Sequence, residues 1–377
     1  MRELDKFDEP IFVTKPKMPS RELFDSYVDQ IWENQQLTNN GPLHEDFRKK
    51  LMNFLQTDHI ELTVNGHQAL ELAIKALDLK GEIITTPFTF ASTTLAIINN
   101  GIKPVFCDVH PQNFTLDVEK IEKLITPKTT GIIGVHVFSN PCDVLVIETI
   151  AKKHNLKVIY DAAHAFGVKI DGKSVAEYGD ISMFSLHATK VFNSIEGGVL
   201  AFNESSLVEK LNALKNFGLV HKEQVTYKGN NSKMNEFQAA MGLSNLKTIE
   251  QDLYQRRLFY NEYNRLLSKI NFIELMEQYD EVLYNGSYFP ILLPDLEFRD
   301  FIFEALKKYN VFTRKYFYPL TNQFGFLEDQ SANTPIAKSI SERVLVLPMY
   351  TDLSIHVIKK ITEIIIFEGG IYLEKQI

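Results

Sequence analysis

The chain has 377 residues, with 48 acidic against 40 basic side chains and a formal charge of −8. That acid excess disfavours a nucleic-acid or anionic-membrane surface as the main business of the molecule, and 45% hydrophobic with 23% charged residues describes a folded globule of two or three packed units. Only two cysteines, Cys107 and Cys142, exclude a disulfide scaffold and point to a reducing, cytoplasmic setting, where the N-x-S/T matches starting at Asn113, Asn203, Asn230 and Asn285 are chance.

Residues 1–40 read as an irregular N-terminal arm without an apolar signal core. From 41 to 245, apolar β-like runs alternate with helical runs. HEDFRKKLMNFLQ is helical, IELTV extended, QALELAIKALDL helical and EIITT extended. ASTTLAIINN is helical, PVFCDV extended, DVEKIEKLI helical and TGIIGVHV extended. VLVIETIAKKHN is helical, and KVIYDAA, DISMFSL and GGVLAF are extended. The strands are almost continuously apolar, as in a sheet covered on both faces, and the alternation predicts a mostly parallel α/β domain. Residues 246–377 change character: one long helix, LKTIEQDLYQRRLFYNEYNRLLSKI, precedes short strands (SYFPILL, NVFTRKYF) and the helical runs FRDFIFEALKKYN and IHVIKKITEIII. This predicts a smaller α+β domain. No apolar stretch is long and uninterrupted enough to span a bilayer.

Gly167–Ser174, GVKIDGKS, matches the phosphate-loop pattern letter for letter. Such a loop needs a strand before it and a helix starting at the Lys. Here Val168-Lys169-Ile170 alternates apolar and polar before Asp171-Gly172, the pattern of a hairpin. No G-x-G-x-x-G occurs, and the ten His show no metal-ligand spacing, so neither a dinucleotide nor a metal is expected.

Chemistry concentrates in one stretch. Asp161 ends the strand KVIY at its carboxyl end, where ligands bind in open α/β sheets. Lys190 follows the strand DISMFSL, and Glu196-Gly197-Gly198 opens the next. A surface ion pair is the simplest account of Lys190 and Asp161. The alternative is an amine kept neutral by its pocket, able to form a Schiff base with pyridoxal 5'-phosphate, with a carboxylate at the ring nitrogen. The cofactor's phosphate then needs N–H groups at a helix start, which Asn65-Gly66-His67 offers, and Phe90 offers an aromatic face.

Nine motifs in order carry a resemblance over nearly the whole chain: LTNNGP (37–42), VNGHQAL (64–70), TTPFTFAST (85–93), PVFCDV (104–109), HVFSNPCD (136–143), DAAHAFG (161–167), SLHATK followed by EGG (185–198), GNNSKMNEFQAAMGL (229–243) and RKYFYPL (314–320). The chain resembles the DegT/DnrJ/StrS group of pyridoxal-phosphate-dependent sugar-nucleotide aminotransferases, on the type I (aspartate aminotransferase-like) fold. The resemblance implies that Lys190 is the Schiff-base lysine and proton shuttle and that Asp161 pairs with the pyridine nitrogen. His164 lies near the ring hydroxyl, Ser185 binds phosphate beside Gly66 and His67, and Phe90 stacks on the ring. Asn231 reaches the cofactor phosphate of a neighbouring subunit in a homodimer with shared sites. Arg314 and Tyr316 lie near the substrate diphosphate, and His187 near the sugar. His67 stands where relatives often have Thr or Ser, Lys233 where Arg is usual, and Asn235 where Ser is usual.

The Ser185–Lys190 motif and Glu196-Gly197-Gly198 resemble family members that aminate C-4. The implied reaction moves an amino group from L-glutamate to C-4 of a dTDP-4-keto-6-deoxyhexose, giving dTDP-4-amino-4,6-dideoxyglucose for surface glycans such as O-antigen. Amination at C-3 and a non-catalytic regulator binding cofactor and sugar nucleotide are the alternatives. Lys222 and Tyr227, near Asn231, are candidates to contact a partner's substrate.

Overall fold

The structure is a computed structural model and describes residues 4–221, 223–327 and 332–376. Seven strands form the main sheet: β1 (His59–Thr63), β2 (Glu82–Thr85), β3 (Lys103–Phe106), β4 (Thr129–Val135), β5 (Lys157–Asp161), β6 (Ile181–Ser185) and β7 (Gly198–Phe202). Their order is β1-β7-β6-β5-β4-β2-β3. Every pair is parallel except the two made by β7, which runs antiparallel to β1 and β6. The mostly parallel sheet expected from the sequence is present. Its strands are apolar on both sides because helices cover both faces. One face packs Phe184, Val199 and Leu62 on α2 (Pro42–Leu55) and α8 (Glu236–Leu246), through Phe47, Leu51 and Leu243. Another cluster sets Ile133, Ile159 and Leu200 against Leu70, Ala73 and Ile97 of α3 (Gly66–Ala76) and α4 (Ala91–Asn99).

A second, three-stranded antiparallel sheet joins Glu274–Leu275, Phe289–Leu292 and Val344–Leu347. Its core shares Ile291 and Leu345 with Tyr263, Ile302 and Ile361 of α9 (Ile249–Leu267), α10 (Leu296–Lys308) and α12 (Ile355–Glu374). Among the described residues no helix is long and apolar enough to cross a membrane.

Three local readings need correction. The first 40 residues are not irregular throughout: Arg21–Asn34 form α1, begun by Ser20, whose hydroxyl accepts the Leu23 N–H at 3.4 Å. The long helix expected from residue 246 is present but starts at Ile249, separated by Lys247-Thr248 from a helix over Glu236–Leu246 that the sequence reading does not assign. That earlier helix starts at a capping box, in which Asn235 Oδ1 accepts the Gln238 N–H (2.9 Å) and Gln238 Oε1 accepts the Asn235 N–H (3.0 Å). The strand read over NVFTRKYF is only Val311–Phe312, paired in parallel with Ile11–Phe12, plus a single bridge from Arg314 to Val346.

The phosphate-loop lookalike is a hairpin, as its pattern indicates. Lys169–Ile170 pairs with Lys173–Ser174, and Asp171 (φ 48°) and Gly172 (φ 79°) make the turn. A three-residue 3₁₀ turn follows, too short to present a helix start to phosphate.

One long-range contact ties two of the family marks together. The first turn of α2 has no side-chain cap of its own, because Gly41 precedes it. The buried carboxylate of Glu236 supplies one, accepting the N–H groups of Leu43 (2.8 Å) and His44 (2.9 Å). Glu236→Ala removes both acceptors and should lower unfolding stability by about 2–3 kcal/mol, measured as a shift in denaturant midpoint.

Candidate active site

The loops at the carboxyl ends of the parallel strands meet around a cavity of about 620 Å³. Asn65, Gly66 and His67 follow β1, and Thr89 to Ser92 follow β2. Asp161 ends β5, with Ala163 and His164 just beyond, and Ser185 to Lys190 follow β6. Because β7 is antiparallel, its amino end opens on the same edge and brings Glu196 there. The second unit contributes Tyr288, Tyr316 and Phe317. Thus Gly66, His67, Phe90, Asp161, His164, Ser185, His187, Lys190 and Tyr316, all expected from the sequence, line one cavity.

Two expected residues lie elsewhere. Arg314 lines an adjoining cavity of about 690 Å³ with Lys315, Phe12 and Phe312; Phe90 and Tyr316 border both cavities. Its backbone is pinned by two hydrogen bonds to Val346 (3.2 and 2.8 Å), and its side chain is exposed. Asn231 is exposed outside the cavity, its Oδ1 accepting from Lys233 Nζ at 2.9 Å. Tyr227 lines a separate groove with Lys210, and Lys222 lies outside the described residues.

The Asp161 carboxylate is buried and held on both oxygens. Oδ1 accepts the Ala163 N–H (3.1 Å), and Oδ2 accepts the Thr93 hydroxyl (2.7 Å). Thr93 spends its single proton there, so Thr89, 2.7 Å away, donates to Thr93. Burial raises the Asp161 carboxyl above its ordinary range, opposed by these hydrogen bonds and by the Lys190 charge. Burial lowers the Lys190 amine, opposed by Asp161 and Tyr316. The Lys190 amine sits 5.8 Å from the centre of the Tyr288 ring.

His164 is buried, its ring 5.9 Å from that of Phe138, 6.0 Å from that of Phe317 and 4.6 Å from that of Tyr288. Burial, reinforced by Lys190, holds it well below the ordinary histidine range. Its Nδ1 accepts the Phe138 N–H at 3.2 Å, so the neutral ring carries its proton on Nε2. His187 bonds the Thr189 hydroxyl through Nδ1 (2.7 Å), with Nε2 3.5 Å from Glu196.

These residues fit pyridoxal phosphate. Asn65 caps α3 by accepting the Gln68 N–H (2.9 Å), and among the described residues the N–H groups of Gly66 and His67 have no partner. A Cβ on Gly66 would stand 3.0 Å from the Ser185 Cβ, so only glycine leaves this cradle open. Phe90 is 60% exposed and stacks on no other ring among the described residues. Amine, carboxylate, aromatic face and anion cradle therefore share one cavity.

Thr93, Ser92, Tyr288 and Phe317 were not singled out in the sequence. Thr93 and Ser92 sit in the TTPFTFAST motif, but a hydroxyl in a helix start is too common to read alone. Tyr288 and Phe317 reach the cavity only through packing of the second unit.

Removing the negative charge opposite Lys190 should lower its amine further, since Asp161 is the group that raises it. In Asp161→Asn, the pH midpoint for acylation of Lys190 by a small amine reagent, followed by peptide mass spectrometry, should fall relative to the wild type.

A family model for the DegT/DnrJ/EryC1/StrS aminotransferases matches residues 20–366. A dTDP-4-amino-4,6-dideoxy-D-glucose transaminase of Shigella dysenteriae is 43% identical over 363 residues, covering 95% of this chain and 99% of the relative. A transaminase of the same description from Escherichia coli is 41% identical with the same coverage. The crystal structure of DesI in the presence of its TDP-sugar product superposes with a TM-score of 0.93 at 30% identity, covering 99% of this chain and 96% of DesI. With match and site in agreement, the chain belongs to the DegT/DnrJ/EryC1/StrS aminotransferase family, whose members depend on pyridoxal phosphate.

Proposed function

We propose that the chain transfers the amino group of L-glutamate to C-4 of a dTDP-4-keto-6-deoxyhexose. The product is dTDP-4-amino-4,6-dideoxyglucose, made for O-antigen or another surface glycan. The observation that carries the reading is the convergence of Lys190 and Asp161 on one cavity in a chain 43% identical, nearly end to end, to a transaminase of that description.

When bound, pyridoxal phosphate supplies a reactive carbonyl carbon and an electron-accepting ring. The residues of this chain do the rest. Asp161, fixed by Thr93 and Ala163, holds a proton on the ring nitrogen. His164 donates from Nε2 to the ring hydroxyl, because Nδ1 is already an acceptor. Gly66, His67 and Ser185 bind the phosphate, and Phe90 covers one ring face. Lys190 Nζ would take and return the proton of the reacting substrate carbon, one amine serving both half-reactions. Burial lowers its affinity for protons, which favours the neutral amine that proton transfer needs. His187 faces the sugar. Arg314, across Tyr316 in the adjoining cavity, grips the diphosphate. Asn231, exposed outside its own cavity, extends to the site of a second copy in a homodimer.

Incubation with glutamate and dTDP-4-keto-6-deoxyglucose, with NMR of the product, should place new nitrogen on C-4; nitrogen at C-3 would contradict the assignment. Lys190→Ala should keep its fold and lose turnover. Arg314→Ala should raise the KM for sugar nucleotide about tenfold or more with kcat little changed, the mark of a binding contact outside the reacting atoms.

A further inference from the structure

His67 stands at the start of α3, and two side chains hold its ring. Its ring bridges two helices that both begin at the cavity. Nδ1 lies 3.0 Å from the hydroxyl of Ser92, in the first turn of α4. Nε2 lies 3.3 Å from the carboxylate of Glu71, one turn along α3. Glu71 is only 9% exposed and is fixed from two further sides. Asn99 Nδ2 donates to Oε1 at 2.8 Å and Gln68 Nε2 to Oε2 at 3.1 Å. Both His67 and Ser92 line the cavity, together with Gly66.

From this chain of contacts, the geometry points to Ser92 as a direct ligand of the cofactor phosphate, with His67 and Glu71 as the residues that aim it. The inference rests on the transaminase reading, which puts the phosphate at the start of α3. Asn99 Nδ2, itself held by Glu71, also lies 3.5 Å from Nε2, so Nε2 can accept while Nδ1 donates to Ser92. In that arrangement the Ser92 hydroxyl keeps its own proton to donate to an anion in the cavity. α4 presents no charged side chain to the ring. The other charged or titratable groups on the cavity wall are Lys190, Asp161, His164, His187, Glu196, Tyr288 and Tyr316.

The strut also continues outward. Gln68 Oε1 accepts from Ser232 (3.0 Å) and from Asn230, the neighbours of Asn231. Gln68, which holds Glu71, therefore also braces the loop that carries Asn231.

The test is a titration of full-length protein stripped of cofactor, with pyridoxal phosphate and with phosphate-free pyridoxal, read by the absorbance of the Lys190 adduct. Ser92→Ala and Glu71→Gln should each weaken pyridoxal phosphate about tenfold, the worth of one charge-assisted hydrogen bond. Pyridoxal binding should not change. An unchanged constant for pyridoxal phosphate overturns the assignment. So does an equal loss for both ligands, which a general disturbance of the site would produce. If the wild type takes up no pyridoxal phosphate at Lys190, the transaminase reading itself falls. If it does and the ratio of the two constants stays fixed, only the role of Ser92 falls.

Discussion

Burial of an amine and a carboxylate at the floor of one cavity is the constraint on which the rest of the site depends. Desolvation pushes both toward neutrality: it lowers Lys190 and raises Asp161, while their mutual attraction opposes each shift. A fully solvated pair would be an ordinary surface salt bridge with a permanently protonated lysine. A pair too deeply buried without partners would cost several kcal/mol. Here Thr93 and the Ala163 N–H hold the carboxylate in place, while Lys190 faces open volume. Burial lowers the proton affinity of Lys190, and the hydrogen-bonded carboxylate of Asp161 lines the same cavity.

The fold delivers this arrangement through strand direction. Six parallel strands put their carboxyl ends on one edge, and the single antiparallel strand, β7, sets its amino end there too. Loops from distant stretches of chain then face one another across a cavity covered by Tyr288, Tyr316 and Phe317. Buried carboxylates lock the loops at a distance from the chemistry. Glu236 caps the start of α2, and Glu71 joins α3 to α4 through Asn99, while its neighbour Gln68 reaches the loop carrying Asn231. Both are charged groups that would be costly in a core, and both are saturated with hydrogen-bond donors.

Much of this was legible in the sequence because the signals are local. Apolar runs located all seven strands of the main sheet, and Asp171-Gly172 identified a hairpin where a nucleotide loop was spelled out. Strand direction was not legible, since a run such as GGVLAF is equally apolar whichever way it points. The helix Glu236–Leu246 was not assigned because it is buried along most of its length, so its residues show no clear polar face. The ordered helix at Arg21–Asn34 was missed because its apolar face is completed by α8, more than 200 residues away. Among site residues, those in strand-end motifs were found. Thr93 and Tyr288 were not, because they join the site through contacts with distant stretches of the chain.

The most direct test is reduction by borohydride after incubation with pyridoxal phosphate, followed by peptide mass spectrometry. The account predicts a phosphopyridoxyl adduct on Lys190, lost in Lys190→Ala. An unmodified Lys190, or an adduct spread over exposed lysines with none at this position, would contradict it.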